Sequence, residues 1–277
     1  MEYNLIADSS CDITDAFREE HQVKLIPFTL SLGNRHFIDD DDLDVSKFVE
    51  EMKMCKEKIT TAAPSPQLYE EAIRRSDGTS FIVTISSRLS ASYSNAMVAK
   101  SIVEQDGHDV HVFDSKSAVS GEALVAMKLV EYIKAGLPKA EIISTLENFI
   151  KNMHTFFVLD KVDNLLKNGR LNKIAGKLIT TLNIKPVLGS DGDGNIAMYS
   201  KARGAKQIVQ KLAETMDKYG SDTDGKDLVI AHCNNPSLAE SFEALARARY
   251  NFRSILVVKT RGLSSLYSDD RGLVIAY

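Results

Sequence analysis

Apolar and polar residues alternate along this chain in two rhythms. Leu124, Met127, Leu129, Val130 and Ile133 recur at helical intervals between Gly121 and Gly136, which predicts a helix over Glu122–Lys134. Val45, Phe48, Val49 and Met52 repeat that spacing, and a further helix is expected over Ala91–Glu104. Short apolar runs at Tyr3–Asp8, Phe81–Ile85 and Val110–Phe113 read as strands. Strands that alternate with helices predict a parallel α/β sheet for the first half. The excursion Lys24–Ile38 is β-rich and carries Gly33-Asn34 at a turn position, so it is expected to be a hairpin forming an arm.

From about Phe156 the pattern changes. Two short helices, Asp163–Lys167 and Lys173–Leu182, precede strands Lys185–Leu188 and Ile196–Ser200, joined across the turn-rich Gly189-Ser-Asp-Gly-Asp-Gly194 as an antiparallel pair. Helix Ala205–Tyr219, strand Leu228–Ala231, helix Leu238–Ala248 and strands Ser254–Val258 and Leu273–Ala276 follow, giving a mixed α/β sandwich. A chain of 277 residues fits two domains, placed at 1–155 and 156–277.

Composition narrows the function classes. Hydrophobic residues are 44% and charged residues 26%, globular proportions, and no apolar run reaches the roughly 20 residues that span a bilayer. The chain opens directly into a strand pattern with no secretory leader, so a cytoplasmic location is expected. Cys11, Cys55 and Cys233 are far apart and show no zinc-site spacing, which implies reduced thiols and no metal site. A net charge of −4 argues against a nucleic-acid partner, because phosphate binding needs clustered Lys and Arg.

Four hydroxyl-rich segments fall where α/β strands end, the usual place for ligands. They are Asp8-Ser9-Ser10-Cys11-Asp12, Thr60 to Pro66, Ser86-Ser87-Arg88-Leu89-Ser90-Ala91-Ser92-Tyr93, and Asp114-Ser115-Lys116-Ser117. Small hydroxyls and free amides at a helix start suit an anion, although Ser, Thr and Asp also serve there as helix caps and turns. No nucleophile elbow, phosphate-binding P-loop or dinucleotide fingerprint occurs. The acidic run Asp39–Asp42 with Asp44 reads as a solvated helix start. His232 and Cys233 are adjacent at a strand end, so their side chains face opposite ways and burial suits them better than catalysis. Two alternatives stay open: a small-acid hydrolase or acyl transferase using Ser90 or Cys233, and a non-lipid carboxylate-binding module.

In their order along the chain, these segments resemble the DegV family, the fatty-acid-binding partners of bacterial fatty-acid kinase. The resemblance spans essentially the whole chain. It adds Phe113-Asp114-Ser115-Lys116-Ser117 and, above all, Leu166-Lys167-Asn168-Gly169-Arg170-Leu171 running to Lys185-Pro186-Val187-Leu188. It implies a two-domain α/β fold that is not itself an enzyme and needs no cofactor, with a long-chain fatty acid as ligand. The N-terminal domain would hold the carboxylate and the C-terminal domain would bury the acyl chain. A separate kinase subunit, supplying ATP and metal, would form an acyl phosphate for phospholipid synthesis, with peripheral membrane contact for lipid exchange.

Carried over by position, Thr61 and Ser90 match the carboxylate-holding hydroxyls, with the Ala91 amide as a further donor. Arg170 matches the family's Gly-Arg; Arg203 matches a basic position near the head group or partner, and Arg88 stands where the family commonly has a small residue. Ile174, Leu178, Ile179, Leu182, Ile184, Val187 and Leu188 are expected to line the lipid tunnel. Where the family usually has His-Thr-Gly-Pro-Gly, this chain has Tyr267-Ser268-Asp269-Asp270-Arg271. Tyr267 is left to supply a hydrogen bond, and Asp269 and Asp270 would repel a carboxylate if they faced it.

Overall fold

The computed structural model describes residues 3–171 and 184–277. Strands β1 (Tyr3–Asp8), β2 (Lys24–Ile26), β6 (Thr79–Thr84) and β7 (Val110–Asp114) form a parallel sheet in the order β2-β1-β6-β7. Successive side chains point to opposite faces, and here both faces are apolar because helices cover both. Ile6, Ile82 and Val112 pack under α3 (Pro66–Ile73) and α4 (Ser92–Val103). Leu5, Ala7, Phe81, Val83 and Phe113 pack the other way, on α5 (Ser120–Lys134) and α6 (Lys139–Asn152).

A second sheet runs β10 (Ile196–Ala202), β9 (Lys185–Ser190), β8 (Thr155–Val158), β13 (Leu273–Ala276), β11 (Asp227–His232), β12 (Ser254–Lys259). It is mixed: β11 and β12 are parallel, while β13 is antiparallel to both β8 and β11. Phe156, Val158, Ile230 and Ile275 face α8 (Gly204–Tyr219) and α9 (Pro236–Arg249). Val229, Ala231, Val274 and Ala276 face back onto α5 and α6. Helix α5 is therefore clamped between two sheets, which is why the consecutive Ala123, Leu124, Val125 and Ala126 are all buried instead of one stripe. The expected parallel and mixed sheets are both present.

The expected arm is resolved differently. Lys24–Ile26 joins the parallel sheet beside β1, so only β3 (Thr29–Leu32) and β4 (Arg35–Ile38) form the hairpin, with Gly33 at φ +60° in its turn. A third strand, β5 (Ile59–Ala62), pairs with β3. This small sheet is packed down: Phe28, Leu30 and Leu32 meet Phe48, Val49 and Met52 of α2 (Val45–Met54) and Leu263 and Leu266 of α10 (Gly262–Ser268).

The acidic run is also corrected. Asp44 does cap α2, accepting from the Lys47 N–H at 3.0 Å, but Asp39 is buried. Its carboxylate accepts the Gly262 and Leu263 amides at 2.9 Å each and thereby fixes the start of α10 to the small sheet. The expected helix Lys173–Leu182 lies outside the described residues; Asp163–Lys167 is helix α7. Among the described residues no helix is long and apolar enough to cross a membrane.

Candidate functional site

Strands β1, β6 and β7 are parallel, so the loops that follow them lie along one edge of their sheet. Those loops, the end of β5, α10 and the strands β8 to β10 enclose a cavity of about 270 Å³. That is roughly twenty times the space one water needs, so an organic ligand of many heavy atoms fits. Phe28, Ile85, Leu159, Leu165, Ile196 and Val274 give it a mainly apolar wall. Polar groups interrupt the wall at a few points, the ordinary make-up of a small-molecule site.

Five of the residues singled out in the sequence meet there: Thr61, Ser90, Ala91, Arg170 and Tyr267. Thr61 Oγ1 and the Tyr267 hydroxyl are 2.9 Å apart, linking β5 to α10 across 206 residues of chain. The Ser90 N–H donates to the Ser86 carbonyl at 3.1 Å and Ser90 Oγ accepts the Ser92 N–H at 3.1 Å, so its O–H proton is left for a ligand. The Ala91 N–H has no acceptor among the described residues, as expected of an amide just before a helix. Arg170 donates Nε to the Leu89 carbonyl at 3.0 Å and Nη1 to the Asn168 carbonyl at 2.5 Å, which holds its cation beside the Ser90 loop.

Other candidates lie elsewhere. Arg88 is exposed and outside the cavity wall, and Arg203 is exposed on a separate groove with Lys185 and Arg271. Of the expected tunnel residues, Ile174, Leu178, Ile179 and Leu182 lie outside the described residues. Val187 faces α8 within the core of the second sheet, and Leu188 packs behind Leu159 and Leu165. Neither they nor the half-buried Ile184 line the cavity. Strand alternation explains this: being apolar on β9 does not say which face the side chain takes. Phe28, Phe157, Thr155 and Val274 do line it and were not singled out, since a cavity wall and an ordinary core have the same composition. Lys116 and Ser117 line it too, from a segment that was flagged as a whole.

The two aspartates after Tyr267 do not face a ligand there. Asp270 pairs with Lys53 at 2.9 Å and accepts from Asn234 at 3.1 Å, and neither Asp269 nor Asp270 lines the cavity. Cys233 and His232 are both buried, as anticipated. Burial pushes the Cys233 thiol up and the His232 imidazole down, the reverse of what a thiolate–imidazolium pair requires.

Behind the cavity lies a sealed acidic cluster. Asp8 accepts the Ser10 and Ile85 amides at 3.0 Å each and the Ser92 hydroxyl at 2.5 Å, so one carboxyl ties the loop after β1 to both ends of the loop between β6 and α4. Burial raises its pKa to about 6, against the lowering effect of those bonds. Glu122 is fully buried, has no geometrically complete partner among the described residues, and is pushed well up by burial and then by the Asp8 charge. Burial likewise lifts Asp12 to about 7, although it accepts the Arg261 N–H at 2.8 Å.

A model of the DegV family of uncharacterised proteins matches residues 2–273. This chain belongs to the DegV family. A DegV domain-containing protein of Streptococcus pyogenes serotype M1 is 34% identical over 281 aligned residues, covering 100% of this chain and 99% of the relative. Among solved structures, a DegV family protein of Ruminococcus gnavus refined with vaccenic acid superposes with a TM-score of 0.93 at 31% identity, covering 99% of each chain. The fatty acid kinase (Fak) B3 protein of Streptococcus pneumoniae, loaded with linoleic acid, superposes at 0.90 and 32% identity, covering 100% of this chain and 99% of that one. The α/β architecture described above, with its parallel and mixed sheets, is thus the DegV fold.

Proposed function

We propose that this chain binds a long-chain fatty acid, buries the acyl chain in the cavity and presents the carboxylate to a separate ATP-dependent fatty-acid kinase. The observation that carries this reading is the meeting of Thr61, Ser90, Ala91, Arg170 and Tyr267 on one apolar-walled cavity. A carboxylate leaving water needs its lone pairs satisfied, and hydroxyl, amide and guanidinium donors supply that. Burial of each CH₂ contributes about 0.8 kcal/mol, which favours a tail of roughly 14–18 carbons. Two relatives of this fold, described above, hold fatty acids.

On this reading residues 1–155 supply the carboxylate-holding loops, and the acyl chain lies against Phe157, Leu159, Leu165 and Ile196 of the second half. The exposed Arg203 and Arg88 are then available to the kinase. Organic extraction of purified protein followed by mass spectrometry tests the lipid reading. We expect a long-chain fatty acid. Lipid-free preparations that neither bind added palmitate or oleate nor gain melting temperature from them would falsify it. Acyl phosphate should form only when a kinase subunit and ATP are added. Ester or acyl-phosphate turnover by this chain alone, lost in Ser90→Ala, would favour the hydrolase reading instead.

A further inference from the structure

Lys116 lies in the cavity wall between the Ser86–Ala91 loop and the turn joining β9 to β10. Its N–H donates to Asp114 Oδ1 at 2.9 Å and its carbonyl accepts from Ser190 Oγ at 3.0 Å. Together these hold it at φ +50°, the left-handed region that a residue with a Cβ rarely adopts. Such a backbone outlier persists only where its surroundings enforce it, and it points to a use for the side chain. The acid that its N–H meets is already engaged: Asp114 accepts the Ser87 N–H at 3.1 Å and the Ser87 hydroxyl at 2.6 Å. Among the described residues the Lys116 ammonium has neither a hydrogen bond nor a carboxylate partner.

The ligand's charge decides what this cation is for. A carboxylate offers about four lone-pair sites and one negative charge. The Ser90 hydroxyl, the Thr61–Tyr267 hydroxyl pair, the Ala91 amide and the Arg170 guanidinium match that demand. Lys116 is surplus to it. Transfer of the γ-phosphoryl of ATP breaks its bond to the departing ADP and forms a P–O bond to a carboxylate oxygen. The head group gains three terminal oxygens and, by analogy with a phosphate monoester, a charge of about −1.5 to −2. A second cationic residue in the wall of the same cavity as Arg170 suits that group.

We propose that Lys116 recognises the phosphoryl group of the acyl phosphate, so that this cavity holds the phosphorylated lipid more tightly than the free acid. The inference rests on the fatty-acid reading above. It is tested by titrating delipidated protein with hexadecanoic acid, hexadecanol and hexadecyl phosphate, the last a hydrolysis-resistant stand-in for the acyl phosphate. Wild-type protein should prefer the phosphate to the acid, and that preference should shrink as salt rises. Lys116→Met should weaken the phosphate about tenfold or more, the acid by less than about threefold and the alcohol not at all, with Lys116→Arg restoring most of the loss.

A wild-type protein that binds the acid as tightly as the phosphate overturns the inference, whether or not the variants fold. So does a Lys116→Met protein that loses both anions equally or neither. In each of those cases the wild-type protein still binds hexadecanoic acid and the fatty-acid reading survives. Failure of all three lipids to bind wild-type protein removes both.

Discussion

Two polar regions lie back to back beside the same loops, and they treat their polar atoms in opposite ways. In the acidic cluster, Asp8 is fully buried, is met by the Ser10 and Ile85 amides and the Ser92 hydroxyl, and does not line the cavity. On the cavity side, Ser90 has an unspent O–H, the Ala91 amide has no acceptor among the described residues, and Thr61 and Tyr267 share a single bond. The chain uses the same vocabulary of Ser, Asp and backbone amide in both places. Where protein groups satisfy one another the result is a rivet between loops; where donors are left over they are available to a ligand. Serine density therefore does not identify a site, but donor accounting does.

Breaking the rivet should have the largest effect. Asp8→Ala leaves two amides and a hydroxyl without their acceptor in a sealed place, and we expect a loss of about 3–5 kcal/mol of stability by denaturant titration. Unchanged stability would show that water reaches the cluster and that its carboxylates are no better satisfied than the cavity's donors.

The next effect is pH dependence. Asp12 is lifted by burial from 3.8 to about 7, and Asp8 from 3.8 to about 6, so folding takes up protons between those limits. Their contribution is fully present below about pH 4 and is lost as pH rises through about 6–7, because the unfolded chain ionises first. Asp12→Asn keeps an acceptor for the Arg261 N–H and removes the titration. It should flatten the stability profile across that window by about 2–4 kcal/mol. A profile of wild-type steepness would mean that Asp12 is ionised in the folded protein.

On the cavity side, losses should appear in binding instead of folding. Ser90→Ala and Thr61→Ala should each weaken fatty-acid affinity by about 1–3 kcal/mol, the cost of an unsatisfied buried charged acceptor. A fatty alcohol of equal length carries no charge and should lose much less. Equal losses for acid and alcohol, measured by calorimetry, would remove these residues from head-group recognition. The smallest effect belongs to Tyr267→Phe, which deletes only the hydroxyl that meets Thr61 at 2.9 Å. About 0.5–1.5 kcal/mol of acid affinity should go. No change would mean that Thr61 alone serves the ligand, and that Tyr267 only fills the place where the family usually has histidine.

Local pattern determined a good deal of this protein. Mainly apolar stretches at Tyr3–Asp8 and Val110–Phe113 produced strands, and the helical spacing from Leu124 to Ile133 produced α5, because these preferences act within one element. Thr61, Ser90 and Ala91 stood out through hydroxyl-rich segments at strand ends, and Arg170 and Tyr267 through resemblance to the DegV family; the fold brings all five to one cavity wall, and their head-group role is the proposal made for that cavity. What pairs with what was not legible. Lys24–Ile26 became a strand of the parallel sheet and Asp39 a buried anchor for α10, since each found its partner far along the chain. The tertiary structure likewise chose Phe28 and Phe157 for the cavity and sent Val187 to the helices behind it. An apolar residue gains about the same free energy from either destination, so its identity records that it is buried and not against what. The same holds for charge: Asp270 facing Lys53 and Lys116 facing the cavity are contacts that only the assembled sheets could decide.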